Sequence, residues 1–218
     1  MSDTVNMSTM VSFPRQTGTF PAAALTATAD NRPAGWKSAA IADCTGRLTL
    51  IFALLRELLR TEAAWLAGVP YWDAKQAIAR HVLEDARYAE AVLTRLHELK
   101  ATSAEHRQIA GLEEFVRAIA SARQGEEWLR GLYTQIKPWL AGLIEQYLAV
   151  SDPVMDEPTR LILADTLAAQ RRQTAWFAVY RPRFSSWEQP DTSRWCDHVQ
   201  ACQRAASLLF PAACRCTM

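Results

Sequence analysis

The sequence predicts an all-α protein: an antiparallel four-helix bundle with extra short helices and an extended N-terminal arm. Apolar residues recur at intervals of three and four along four long segments. No segment of useful length alternates apolar and polar residues as a half-buried strand does. The long segments are joined by connections that are short or themselves helical, which favours neighbours packed side by side.

The arm comes first. Residues 1–35 are rich in Ser, Thr, Ala, Asn and Pro and lack periodicity, and Pro14, Pro21 and Pro33 interrupt any helix. This segment reads as partly disordered, and residues 36–218 read as one helical domain with a C-terminal accessory helix. The first bundle helix runs from about Arg47 to Ala67 and carries Ile51, Leu55, Leu58, Glu62 and Trp65 on one face. Gly68, Val69 and Pro70 close it. The second starts near Asp73, which suits an N-cap, and continues to about Ala101. Its inward stripe is Ile78, His81, Asp85, Tyr88 and Val92, followed by Leu96 or Arg95.

A shorter helix, from about Glu105 to Arg123, presents Ile109, Leu112, Phe115 and Ile119. Gln124 and Gly125 then turn the chain. The third long helix spans about Glu126 to Val150, with Leu129, Tyr133, Ile136, Leu140, Ile144 and Tyr147 inward. Pro138 removes one backbone donor within it and should bend it. At the start of the fourth, Asp156 suits the cap and Glu157 and Pro158 suit the first turn. This helix reaches about Val179, with Leu163, Thr166 or Leu167, Gln170, Gln173 and Phe177 inward. Pro182 ends that region, and a last helix from about Thr192 to Leu209 packs outside the bundle.

Lys and Arg total 24 and Asp and Glu total 23, a net charge of +1. Nucleic acid binding needs a concentrated basic excess, so it is not expected, nor is attraction to a membrane surface. The most apolar segment, Leu48–Ala67, holds Arg56, Glu57, Arg60 and Glu62, so no membrane span is expected. The N-terminus lacks a basic start followed by an apolar run. Five cysteines, an odd number without an export signal, suggest reduced thiols and a cytoplasmic protein.

Two stretches carry a family resemblance. One is Trp72–Leu96, with His81, Glu84, Asp85, Tyr88 and Glu90; the other is Asp156-Glu-Pro-Thr159 leading into the fourth helix. With the order of segments, they resemble the ferritin-like superfamily, which includes the di-iron carboxylate enzymes, over about Leu48–Val179. The resemblance implies that each half of the bundle offers a Glu from one helix and Glu-x-x-His from the next. Residues three apart share a helix face, so a carboxylate and an imidazole reach the same ions. This chain departs from that pattern. Asp85-Ala-Arg-Tyr88 puts a phenol where the imidazole belongs, and Gln170-Arg-Arg-Gln173 puts neutral amides at both ligand positions. Glu62, Asp85 and at most Glu84 remain as inward acids, with His81 one turn before Asp85. Two divalent ions carry four positive charges, which this set does not offset. No metal and no cofactor are therefore expected, with a single metal on Glu62, Asp85 and His81 as the alternative.

Each polar position also has a plain structural reading. Glu62 on an apolar stripe is either an acid–base group or a carboxylate paired with His81 or an arginine. His81 and Asp85, four apart, are either a proton-transfer pair or a polar pair that orients two helices. Tyr88, Tyr133 and Tyr147 either point phenols at a cavity or pack as core. Gln170 and Gln173 need hydrogen-bond partners wherever they are buried. Trp65 and Trp176 either wall a pocket or fill the core. Cys196, His198, Cys202, Cys214 and Cys216 match no standard zinc spacing, and Cys44 has no histidine beside it in sequence.

The expected activity is a small-molecule biosynthetic enzyme with a metal-independent acid–base pocket, performing a cyclisation, condensation or isomerisation. His81 with Asp85 moves a proton, Glu62 is the opposing acid or base, and Tyr88 orients the substrate. Glu84, Trp65, Tyr133, Tyr147, Gln170, Gln173 and Trp176 bind it. The alternatives are an iron-dependent oxygenase or desaturase with rearranged ligands, and a non-enzymatic binder or scaffold. A twofold homodimer suits a bundle with a further apolar face to bury.

Overall fold

The run Leu50-Ile-Phe-Ala-Leu-Leu55 is apolar on every side, and a helix of that kind must be covered on every side. In the computed structural model, which describes residues 41–101, 112–183 and 190–208, all six residues are buried. They lie in α1 (Ile41–Trp65), which packs against α2 (Trp72–Glu98), α3 (Leu112–Ala120) and α5 (Lys137–Val150). α2 packs on α6 (Glu157–Tyr180), and α6 packs on α5. α1, α2, α6 and α5 thus form a closed cycle of neighbours. α4 (Gly125–Gly131) and α7 (Pro190–Leu208) complete the α-helices, with α7 resting on α3 and α4. The described residues form an all-α structure with no strand among them. The expected arm, residues 1–35, lies outside them, as do Ile109, Cys214 and Cys216.

The buried positions follow the predicted stripes. Ile51, Leu55, Leu58 and Glu62 are buried on α1; Ile78, Asp85, Val92 and Leu96 on α2; and Leu163, Thr166, Leu167, Gln170, Gln173 and Phe177 on α6. The expected caps are used differently. Tyr71 takes the N-cap position of α2, and Asp73 lies in the first turn. Asp73 Oδ1 accepts the Ala74 amide at 3.0 Å and the Tyr180 hydroxyl at 2.6 Å, which ties the start of α2 to the end of α6. Asp156 does precede α6, but its carboxylate accepts the hydroxyls of Tyr147 and Thr159 rather than capping amides.

The third long helix is not one regular α-helix. α4 passes into a π-helical stretch, Leu132–Ile136, and then into α5. Pro138 has no N–H to give back to the preceding turn. The backbone widens there, and the Lys137 amide reaches Leu132, five residues earlier.

α4 starts against the end of the first connection. A Cβ on Gly125 would lie 2.7 Å from the Gly68 carbonyl oxygen, a backbone atom that cannot swing aside. Overpacking of this kind costs about 1–3 kcal/mol. Gly125→Ala is expected to lower the melting temperature by about 2–12 °C, followed by circular dichroism. An unchanged melt would contradict the close approach.

Candidate functional site

Between Arg130 and Glu145 the chain carries a single charged side chain, Lys137. It sits at the first position of α5, directly after the π-helical stretch, and is fully buried. A lone ammonium is not tolerated there, because desolvation strongly disfavours the charged form. The fold answers with two acids. Lys137 Nζ is 2.7 Å from Asp85 Oδ2 on α2 and 2.8 Å from Glu62 Oε1 on α1, and both acids are 0% exposed. Burial pulls the Lys137 pKa down, but Asp85 and Glu62 outweigh it and hold it above the ordinary lysine value.

The two acids are served unequally. Asp85 Oδ2 accepts from Lys137, and Oδ1 accepts the side-chain amides of Gln170 at 2.7 Å and Gln173 at 3.1 Å, both from α6. Gln173 Nε2 also reaches Glu84 Oε2 at 3.0 Å, and Arg172 closes on the other Glu84 oxygen from the surface. Glu62 has Lys137 2.8 Å from Oε1, but its Oε2 meets no described donor. Its pKa is accordingly pushed up to about 7, chiefly by burial, against the pull of Lys137 and with a push from Asp85. One carboxyl of the cluster therefore changes charge near neutrality.

Beside the cluster lies an aromatic group. His81 Nδ1 is 2.6 Å from the Tyr133 hydroxyl, and Lys137 Nζ lies 5.6 Å from the Tyr133 ring centre. Trp176 meets His81 edge-on at 5.2 Å and Tyr133 at 5.5 Å, and it stacks on Tyr180. Burial and then the Lys137 charge push the His81 pKa down to about 4, so its imidazole is neutral at pH 7. Burial, with Glu62 and Asp85 behind it, raises the Tyr133 phenol well above its ordinary value. His81 and Trp176 are half-buried, and they form the solvent edge of this assembly.

The structure thus brings together Glu62, His81, Glu84, Asp85, Tyr133, Gln170, Gln173 and Trp176. His81 and Asp85 share a helix face but not a hydrogen bond: His81 goes to Tyr133, and Asp85 goes to Lys137 and the two glutamines. Tyr88 is half-buried and pairs with Arg172 at the rim. Trp65 stacks on Trp128 at 5.9 Å. Tyr147 stands ten residues beyond Lys137 on α5, about 15 Å along the axis, and gives its hydroxyl to Asp156. Among the C-terminal sulfur candidates, Cys202 Sγ lies 3.9 Å from His198 Nε2.

Lys137 is the member that the sequence reading omits. Its signal is present in the sequence: one cation in an otherwise uncharged stretch, four residues after Tyr133 on the inward face. It also changes the charge count at the centre. A metal pair needs about four anionic ligands, whereas here two acids already hold an ammonium between them. The donor set does not fit two divalent ions. Nor, among the described residues, do three or more His, Cys, Asp or Glu side chains converge to hold one. No described helix is long and apolar enough to cross a membrane. The chain finds no match among protein-family models, curated proteins or solved structures.

Proposed function

We propose that this chain is an acid–base enzyme acting on a small molecule, in which the Lys137 ammonium takes the place of metal charge within a ferritin-like four-helix bundle. The bundle reading is supported by the closed cycle of α1, α2, α6 and α5, with polar side chains buried between them from all four. The observation that carries the functional reading is Glu62: a fully buried carboxyl that shares one ammonium with Asp85 and keeps one oxygen without a described donor, so that burial pushes its pKa up to about 7. A group of that kind gives and takes protons at neutral pH. Neutral His81, bonded to Tyr133, is the opposing acceptor at the solvent edge. Asp85 is a positioning residue, because its hydrogen bonds fix Lys137 and both glutamines. Chemistry that needs only proton movement fits this set: cyclisation, condensation or isomerisation.

A metabolite extract incubated with the protein and followed by mass spectrometry tests this. Wild type should convert a species without change of mass or with loss of water, insensitive to iron chelation. Glu62→Gln should slow that conversion by about 10²–10⁴-fold. Equal conversion by both proteins would refute the role, and gain of oxygen dependent on iron would favour an oxygenase. A second reading has its own support. Glu62, Asp85, Lys137 and Gln170 are each 0% exposed, which favours a polar centre that only fixes helix register in a binder or scaffold. An absence of conversion in any extract favours that reading.

A further inference from the structure

The unpaired groups at the polar centre are all of one kind. Glu62 Oε2, Gln170 Oε1 and Gln173 Oε1 are buried without a hydrogen-bond partner among the described residues, and all three are acceptors. The neighbouring donors are already committed: Lys137 Nζ lies between Asp85 Oδ2 and Glu62 Oε1, both glutamine nitrogens point to Asp85, and Gln173 also reaches Glu84. An orphaned buried acceptor is costly, so three in one place mark a missing donor-rich partner. The charge count agrees in sign. Two acids against one ammonium leave the centre one negative charge in surplus when both are ionised.

We infer that the ligand of this site is a primary amine, whose ammonium group enters past His81 and Trp176 and donates to Glu62 and to the glutamine carbonyls. This inference rests on the acid–base reading above and names its substrate class. A primary ammonium brings three donors and one positive charge and no acceptor, the complement of what the centre lacks. An alcohol brings one donor with two further acceptors, and a carboxylate brings only acceptors and repels Glu62. The rings of Trp176 and Tyr133 stand against His81 at that edge, and aromatic rings attract a cation. Neutral His81 does not oppose it.

Three probes sharing one ring separate the classes: benzylamine, benzyl alcohol and benzoate, each titrated calorimetrically into the full chain at pH 7.5. Benzylamine is expected to bind at least about tenfold more tightly than the other two. The preference should vanish in Glu62→Gln. It should weaken in Gln173→Met, which keeps both acids and removes one orphan acceptor; melting curves report whether each variant is folded. Glu62-dependent binding of benzyl alcohol or benzoate in preference to benzylamine would overturn the amine assignment and leave the pocket standing. Failure of all three to bind in a Glu62-dependent way would overturn both.

Discussion

Lys137→Met is expected to destabilise the protein by about 3–5 kcal/mol at pH 7.5, a fall in melting temperature of about 6–20 °C. Methionine fills much of the same volume, so the loss is electrostatic rather than steric. With the ammonium gone, Glu62 and Asp85 face each other, fully buried, without the cation that lies 2.8 and 2.7 Å from them. Removing one partner of a buried ion pair leaves a charge that neither water nor protein satisfies, which is more harmful than replacing the whole pair. Glu62→Gln in the same chain should therefore restore part of the loss. Lys137→Arg should not restore it fully, because a guanidinium is larger and forked where the site fits a compact ammonium. Thermal denaturation of the four proteins measures this, and a Lys137→Met melt within about 1 °C of wild type would contradict the ion-pair geometry.

Acidification is expected to stabilise the fold through Glu62, the reverse of an ordinary salt-bridged carboxylate. The Glu62 pKa rises from its usual 4.5 to about 7 in the folded chain. Between those values the folded state holds a proton that the unfolded state has released, so stability falls as pH rises through the window. The full effect is roughly 3 kcal/mol, present below about pH 4.5 and gone above about pH 7. His81 works in the other direction. Held down to about 4 from 6.5, it withdraws stability as pH falls through that range. Comparing wild type with Glu62→Gln cancels the His81 contribution. Urea unfolding from pH 5 to pH 8 should show the variant gaining on wild type as pH rises. At pH 8 it should be the more stable of the two. A stability difference that is constant across the range would contradict the buried, titrating carboxyl.

Much of this arrangement is legible in the sequence because helical periodicity fixes which face a residue occupies. Glu62, Asp85, Gln170 and Gln173 each fall on an apolar stripe and are each buried. Periodicity says less about position along the axis and about partners. Tyr147 is buried on the same helix as Lys137 but lies about 15 Å beyond it. His81 and Asp85 are spaced to meet, yet each bonds across to another helix, because Tyr133 and Lys137 offer closer partners. Lys137 is obscured by its own residue type, since a lysine is ordinarily a solvated residue. Counting the inward acids without asking what cation they faced leaves it out. The π-helical stretch is a backbone event, and Pro138 signals that regularity fails there without saying that the chain widens.

The most direct measurement of the central claim is the protonation of Glu62 itself, read from the side-chain carboxyl carbon by ¹³C NMR between pH 4 and pH 9. One glutamate should titrate with a midpoint near 7, disappear in Glu62→Gln, and move higher in Lys137→Met as the neighbouring cation is lost. If every glutamate titrates below about pH 5.5, Glu62 is an ordinary ionised partner of Lys137 and the acid–base site does not exist.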